Sequence, residues 1–157
     1  MDTNSGVPRV VVGVDGSEAS YEALRWAVRH ARLIRATVEA VAAYEVPGAE
    51  GWSAPAVDAD LDEEQARKDL ADEIHTVLAQ AGDVPLTSHV VQGNPVEVLT
   101  AASVGAELLV VGSRGRGGFA RLLLGSVSLQ CAQHASCPVV IIREGTLDDV
   151  GATTPQA

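Results

Sequence analysis

Runs of apolar residues alternate with amphipathic segments along most of the chain. The residues of Val10–Val14 are β-branched apart from one glycine, and they do not alternate with polar residues. This pattern predicts a strand buried on both faces. After Asp15-Gly16-Ser17, apolar side chains recur with helical spacing from Tyr21 to Ile34. Ser17 is well placed to cap this helix, because its hydroxyl can accept a hydrogen bond from a free N–H group of the first turn.

The same alternation continues towards the end of the sequence. Further strands are predicted at 38–44, 86–91, 108–111 and 139–142. Helices are predicted around Leu70–Ala81, ended by Gly82, then from a cap at Asn94 to about Val104, and over Ser126–His134. The resulting β-α-β-α-β-α-β-α-β order predicts an α/β fold, with an open five-stranded parallel sheet and helices on both faces.

A chain of 157 residues is long enough for one domain. We expect this domain at residues 8–143, between a disordered N-terminal tail at 1–7 and a flexible C-terminal tail at 144–157. The segment Glu45–Ala59 is rich in Pro, Gly and Ala and is predicted to form a loop. Its length is typical of loops that have a function.

The composition excludes several classes of function. The net charge of −10, from 11 basic and 21 acidic residues, has the wrong sign for binding nucleic acid or an anionic membrane surface. The longest apolar run, Ala40–Tyr44, is too short for a transmembrane helix. The N-terminus also lacks the basic and apolar regions of an export signal, so we expect a cytoplasmic protein with reduced cysteines.

The segment after the fourth predicted strand is the most informative for chemistry. Gly112–Gly118 holds four glycines, and a helix is predicted to begin at Gly125-Ser126. Glycines let successive backbone N–H groups converge on an anion, and a helix N-terminus adds further free donors. Arg114, Arg116 and Arg121 lie in the same window, which contains no acidic residue. This pattern favours a polyphosphate site over a plain surface loop.

The spacing Gly112-x2-Gly115-x9-Gly125-Ser126 resembles the ATP-binding signature of the universal stress protein family. Asp15 after the first strand and Cys137-Pro138 before the last strand add to a resemblance that covers nearly the whole chain. The loops after the first and fourth strands would then bind one nucleotide, so these strands must be neighbours. The strand order is therefore predicted to be 3-2-1-4-5.

The resemblance also implies a role for each part of the site. Asp15 would contact the ribose, although Asp in this position is equally well explained as a turn-forming or capping residue. Gly13, Val14 and the backbone near Ala43 would flank the adenine, while Mg²⁺ would be held through the phosphates of ATP. The full set of predicted site residues is Gly13, Val14, Asp15, Ala43, Val111, Gly112, Gly115, Arg116, Gly125, Ser126, Val127 and Ser128.

Three functions are compatible with these residues. The leading hypothesis is an ATP-binding regulatory protein of the universal stress type with little or no hydrolysis, because no carboxylate, His or Gln is obviously placed beside the phosphates. The first alternative is a sensor of cyclic AMP, since some relatives of this family bind it. The second is a phosphatase or ATPase that uses Asp15 as a nucleophile. Ser17 argues against this second alternative, because haloacid dehalogenase-like phosphatases have a second Asp there.

The predicted last strand, Val139–Ile142, would lie at an edge of the sheet. An uncovered apolar edge promotes pairing with another chain, and the resemblance implies pairing through this strand, so we expect a homodimer.

Cys131-x2-His134-x2-Cys137 contains metal-ligating residue types but no fourth ligand. Buried thiols are therefore favoured over a metal site.

Overall fold

The computed structural model describes residues 6–45, 59–114 and 124–145. Most of the predicted tails and most of the predicted loop Glu45–Ala59 lie outside these residues. Strands and helices alternate in the described part of the chain. The elements are β1 (Arg9–Gly13), α1 (Glu18–Ile34), β2 (Thr37–Tyr44), α2 (Ala59–Ala81), β3 (Leu86–Gln92), α3 (Pro95–Ala102), β4 (Leu108–Gly112), α4 (Ser126–His134) and β5 (Val139–Ile142).

The five strands form one parallel sheet in the order β3-β2-β1-β4-β5, which confirms the predicted topology. β1 lies at the centre and pairs with both β2 and β4. The side chains of Val10, Val11 and Val12 are completely buried, as expected for a strand covered on both faces. The strand order reverses between β1 and β4, where sheets of this type bind their ligands.

Helices cover both faces of the sheet. On one face, Val10 and Val12 pack in a cluster that includes Leu24 of α1 and Leu70 of α2. On the other face, Val11 belongs to a cluster with Leu99 of α3 and Cys131 of α4. None of the described helices combines the length and the apolar character needed to cross a membrane.

The helix boundaries follow the predicted capping residues. Ser17 caps α1 by accepting a hydrogen bond from the Ser20 N–H group at 3.2 Å. Asn94 caps α3 by accepting from the Val96 N–H group at 2.9 Å. Gly82 follows α2 with a φ angle of +73°, a left-handed conformation that glycine adopts without steric cost.

The start of α2 differs from the sequence pattern. Apolar residues recur with helical spacing only from Leu70 onwards, but the helix begins at Ala59. Charged and polar pairs stabilise the N-terminal half, including Glu63 with Arg67 at 2.7 Å and Gln65 with Asp69 at 2.8 Å. A helical stretch held by such pairs has no apolar stripe, so hydrophobic periodicity does not detect it.

Candidate functional site

The carboxyl ends of β1 and β4 lie side by side where the strand order reverses. Immediately after β1, the Val14 N–H group donates to the Val41 carbonyl at 2.9 Å. Immediately after β4, the Ser113 N–H group donates to the Ile142 carbonyl at 2.8 Å. These bonds fix the start of both loops at the same edge of the sheet, as the sequence predicts.

A cleft of about 330 Å³ opens beside the end of β1. It is lined by the predicted site residues Val14, Asp15 and Ala43. The C-terminal end of β2 and the first half of α2 form the rest of the wall. Their lining residues are Ala42, Tyr44, Glu45, Gln65, Ala66 and Asp69. The contribution of α2 was not predicted, because a charged helix face is usually only solvated.

Asp15 forms the turn between β1 and α1. One of its carboxylate oxygens accepts hydrogen bonds from the Ser17 N–H group at 2.9 Å and from the Ser17 hydroxyl at 2.5 Å. Gly16 has a φ angle of +80°, which this tight turn requires. Asp15 is therefore a turn-forming residue. Its side chain is exposed beside the cleft, and contact with a ribose remains a prediction.

Glu73 of α2 is a buried carboxyl group behind this turn. It accepts a hydrogen bond from the Ser20 hydroxyl of α1 at 2.8 Å, and only 8% of the residue is exposed. Burial raises the pKa of Glu73 from 4.5 to about 7, with smaller contributions in the same direction from the nearby charges of Asp15 and Asp69. Sequence analysis missed Glu73, because it is one of many acidic residues in this part of the chain.

The ends of the glycine-rich segment are held together by Ser113. Its carbonyl accepts hydrogen bonds from the Gly125 N–H group at 2.6 Å and from the Ser128 hydroxyl at 3.0 Å. Ser128, predicted to contact the ligand, is thus buried with its hydroxyl bonded inside the protein. Val111, also predicted for the site, is buried as well. The predicted residues Gly115 and Arg116 lie outside the described part of the chain.

The N-terminus of α4 has no side-chain cap. Gly125 occupies the capping position, whereas Ser17 and Asn94 cap α1 and α3 with their side chains. The first turn of α4 contains no acidic residue, Ser126 is exposed and Val127 is half-buried. Backbone N–H groups that no side chain at the capping position engages, together with the positive end of the helix dipole, make this position suitable for an anion such as phosphate.

Arg114 is the one described arginine of the glycine-rich segment. Its guanidinium lies 3.4 Å from the carboxylate of Glu144, the second residue after β5. This pair is partly exposed, and it compensates part of the positive charge that the sequence places here.

Two glycines predicted for the ligand site lie close to the helices that cover the sheet. A Cβ atom on Gly112 would lie 2.7 Å from the Cβ atom of Ala19 and 2.8 Å from its carbonyl carbon, so β4 and α1 could not approach this closely. On the other face of the sheet, a Cβ atom on Gly13 would lie 2.9 Å from the end of the Leu99 side chain of α3. Close packing therefore explains Gly112 without a ligand, whereas the end of the Leu99 side chain could shift to accommodate a Cβ atom on Gly13.

The two cysteines are free in the structure. Cys131 is fully buried in the core beneath α4, and Cys137 is partly buried. Burial raises the pKa of both thiols, which disfavours the thiolate form. This agrees with the predicted structural role of the cysteines.

Sequence comparisons place the chain among proteins of one family. The family model described as the universal stress protein family matches residues 6–143. Universal stress protein Rv2623 of Mycobacterium tuberculosis is 37% identical over 135 residues, which cover 86% of this chain and 45% of that protein. Universal stress protein Rv2005c of the same organism is 36% identical with the same coverage. The chain thus spans less than half the length of these curated relatives.

Solved structures show the same fold. UspA from Lactobacillus plantarum has a TM-score of 0.75 at 24% identity, and the match covers 89% of this chain and 100% of that chain. A universal stress protein in complex with cAMP has a TM-score of 0.65 at 31% identity, with 88% of this chain and 98% of that chain covered. Together with the family match over residues 6–143, these findings show that the chain belongs to the universal stress protein family.

Proposed function

We propose that this chain binds ATP at the carboxyl ends of β1 and β4 and acts as a nucleotide-dependent regulatory module with little or no hydrolysis. The observation that carries the proposal is the N-terminus of α4, where Gly125 leaves the backbone donors of the first turn without a side-chain cap. This helix N-terminus follows the glycine-rich segment, which begins at the end of β4, next to the cleft beside β1. One nucleotide can therefore contact both loops.

The three parts of ATP have separate places in this proposal. The cleft beside Val14 and Ala43 would hold the adenine, which is largely apolar and planar. The exposed carboxylate of Asp15 would accept hydrogen bonds from ribose hydroxyls. The phosphates would lie at Gly125 and Ser126, together with the predicted residues Gly115 and Arg116 of the glycine-rich segment. Mg²⁺ would be held mainly by phosphate oxygens and water.

Slow hydrolysis follows from the groups around the proposed phosphates. Phosphoryl transfer requires a positioned nucleophile, or a group that activates water, beside the γ-phosphate. The first turn of α4 carries no acidic residue, and Asp15 is engaged by Ser17 in the turn before α1. These observations support a role for Asp15 in binding rather than as a phosphate acceptor.

Replacing Asp15 by Asn tests this assignment. Asn retains the oxygen that accepts from Ser17, so the turn should persist, whereas the charged acceptor for ribose hydroxyls is lost. We expect ATP to bind about threefold to tenfold more weakly, measured by isothermal titration calorimetry. Turnover above about 1 s⁻¹ in the wild type that disappears in Asp15→Asn would contradict the proposal, because it would make Asp15 a catalytic residue.

Cyclic AMP is the second candidate ligand. The observation that favours it is the structure of a universal stress protein in complex with cAMP, which is 31% identical to this chain. Mass spectrometry of the nucleotide retained by the purified protein, followed by calorimetry with ATP and cAMP, separates the two ligands. Binding of cAMP that ATP does not displace would replace ATP in the proposal.

The edge strand β5 supports a proposed homodimer. Val139, Val140 and Ile141 are only partly buried, while Ile142 is buried in the core. The Pro138 carbonyl accepts a hydrogen bond from Leu109 of β4, and the Ile142 carbonyl accepts one from Ser113, immediately after β4. Backbone groups alternate in direction along a strand, so those of Val139 and Ile141 face the free edge of the sheet. A second copy of the chain could pair with them.

Ile141→Pro tests this dimer, because proline removes an N–H group from the free edge and leaves the hydrogen bonds with β4 in place. We expect the dimer dissociation constant in analytical ultracentrifugation to rise about threefold to tenfold. Ile141→Ala retains the N–H group and is the control for loss of the side chain. A wild-type protein that is monomeric at micromolar concentration, or a dimer unaffected by proline, would contradict pairing through β5.

A further inference from the structure

A chain of hydrogen bonds connects Glu73 in α2 to the backbone of Asp15. The Ser20 hydroxyl donates to Glu73 Oε1 at 2.8 Å, and the same hydroxyl oxygen accepts from the Asp15 N–H group at 3.3 Å. Asp15 lines the cleft and forms the turn before α1. A change at the buried carboxyl can therefore reach the proposed ribose contact through a single intermediate side chain.

The surroundings of Glu73 oppose a negative charge. Its Oε2 atom is buried and has no hydrogen-bond partner in the described part of the chain. Among the described residues, the charged groups that act on it are the carboxylates of Asp15, in the turn, and Asp69, one turn earlier in α2. The hydrogen bonds from Ser20 of α1 and from the Gly16 backbone favour ionisation, but burial outweighs them and raises the pKa of Glu73 to about 7.

We propose that Glu73 is a positioning residue for the nucleotide site. Its protonation state determines the conformation of the Asp15 turn through the Ser20 hydroxyl and thereby controls the affinity for ATP. The proposal rests on the function proposed above and adds a form of regulation to it.

The two protonation states of Glu73 require different hydrogen bonds from the Ser20 hydroxyl. An ionised Glu73 accepts the single hydroxyl hydrogen of Ser20. A neutral Glu73 can itself donate to the hydroxyl oxygen, so the Ser20 hydrogen is free to bond the Ser17 carbonyl, which lies 3.2 Å away. Ionisation also adds a third carboxylate charge next to Asp15 and Asp69, which repels a polyphosphate. Protonated Glu73 is therefore the state that binds ATP more tightly.

Calorimetry of ATP binding between pH 6 and pH 8 tests the proposal. Wild type and Glu73→Gln are expected to bind equally at pH 6, and the variant about threefold to tenfold more tightly at pH 8. Protonation of ATP itself affects both proteins in the same way. The difference in affinity between wild type and Glu73→Gln therefore reports the protonation of Glu73. Asp72→Asn, which removes an exposed carboxylate of the same helix, is the matched control and should keep the wild-type profile. Parallel profiles for wild type and Glu73→Gln would overturn the proposal.

A measurement without ligand separates this proposal from the proposed function. In the nucleotide-free protein, the NMR signals of the Asp15 and Gly16 amides are expected to titrate with a midpoint near pH 7. The titration should persist in Asp72→Asn and disappear in Glu73→Gln. In Ser20→Ala it should be strongly reduced at the Asp15 amide, while the Gly16 amide, which bonds Glu73 directly, should still titrate. If it occurs but no nucleotide binds, the proposed function is wrong and the coupling of Glu73 to the turn stands. Amide signals that do not titrate near pH 7 would overturn the coupling, whatever the nucleotide result.

Discussion

A Gly125→Asp variant is expected to bind ATP more than tenfold more weakly, a loss of over about 1.4 kcal/mol, while its folding stability is unchanged or slightly raised. Gly125 has φ and ψ angles of −69° and 165°, which any residue can adopt. An aspartate there would accept hydrogen bonds from the first-turn N–H groups of α4 and place a negative charge where the phosphates are proposed to lie. Calorimetry with ATP and thermal unfolding measure the two effects.

Gly125→Asn is the matched control for this experiment. Asparagine also caps the helix but adds no charge, so its effect on ATP binding measures competition for the N–H groups alone. We expect a smaller loss than with aspartate. A folded Gly125→Asp protein with wild-type affinity for ATP would remove the N-terminus of α4 from the site.

Replacing Glu73 by Gln is expected to stabilise the protein at pH 8 and to have little effect near pH 4.5. The raised pKa of about 7 means that the folded state retains a proton that the unfolded state releases above about pH 4.5. The wild type therefore loses stability as the pH rises from about 4.5 to 7, and the loss is constant above this range. The full shift corresponds to about 3 kcal/mol, which partial screening by solvent reduces to about 2 kcal/mol.

Urea unfolding at a series of pH values measures this difference directly. Each wild-type value is compared with that of Glu73→Gln at the same pH, so other titrating groups cancel. Asp72→Asn, at an exposed position of α2, should show no comparable pH-dependent gain. A stability difference that does not change between pH 5 and pH 8 would show that Glu73 is not a proton-binding group of the folded state.

The order of elements was predictable because each buried strand has a local signature. The valines of β1 and the four residues of β5 are apolar without alternation, and Ser17 and Asn94 mark helix starts through hydrogen bonds with their own first turns. The start of α2 had no such signature. It depends on pairs such as Glu63 with Arg67, which resemble ordinary surface charge in the sequence.

The resemblance implied that Val14, Asp15 and Ala43 lie together in the candidate site. All three line one cleft, because adjacent parallel strands end at the same edge of the sheet. Glu73 could not have been predicted. Its partner Ser20 is far away in the sequence, and its raised pKa comes from burial between two helices, which no single segment of the chain determines.

The contact between Gly112 and Ala19 changes how substitutions in the glycine signature must be interpreted. A side chain at Gly112 would push α1 away from β4, so the variant would lose any affinity for the proposed nucleotide together with its native packing. Such a loss would carry no information about phosphate contacts. Conversely, a related sequence could keep this glycine solely for the packing of α1 against β4, even if it had no affinity for nucleotides. The first glycine of the signature is therefore a marker of the fold, and evidence for a ligand must come from the glycines that follow it.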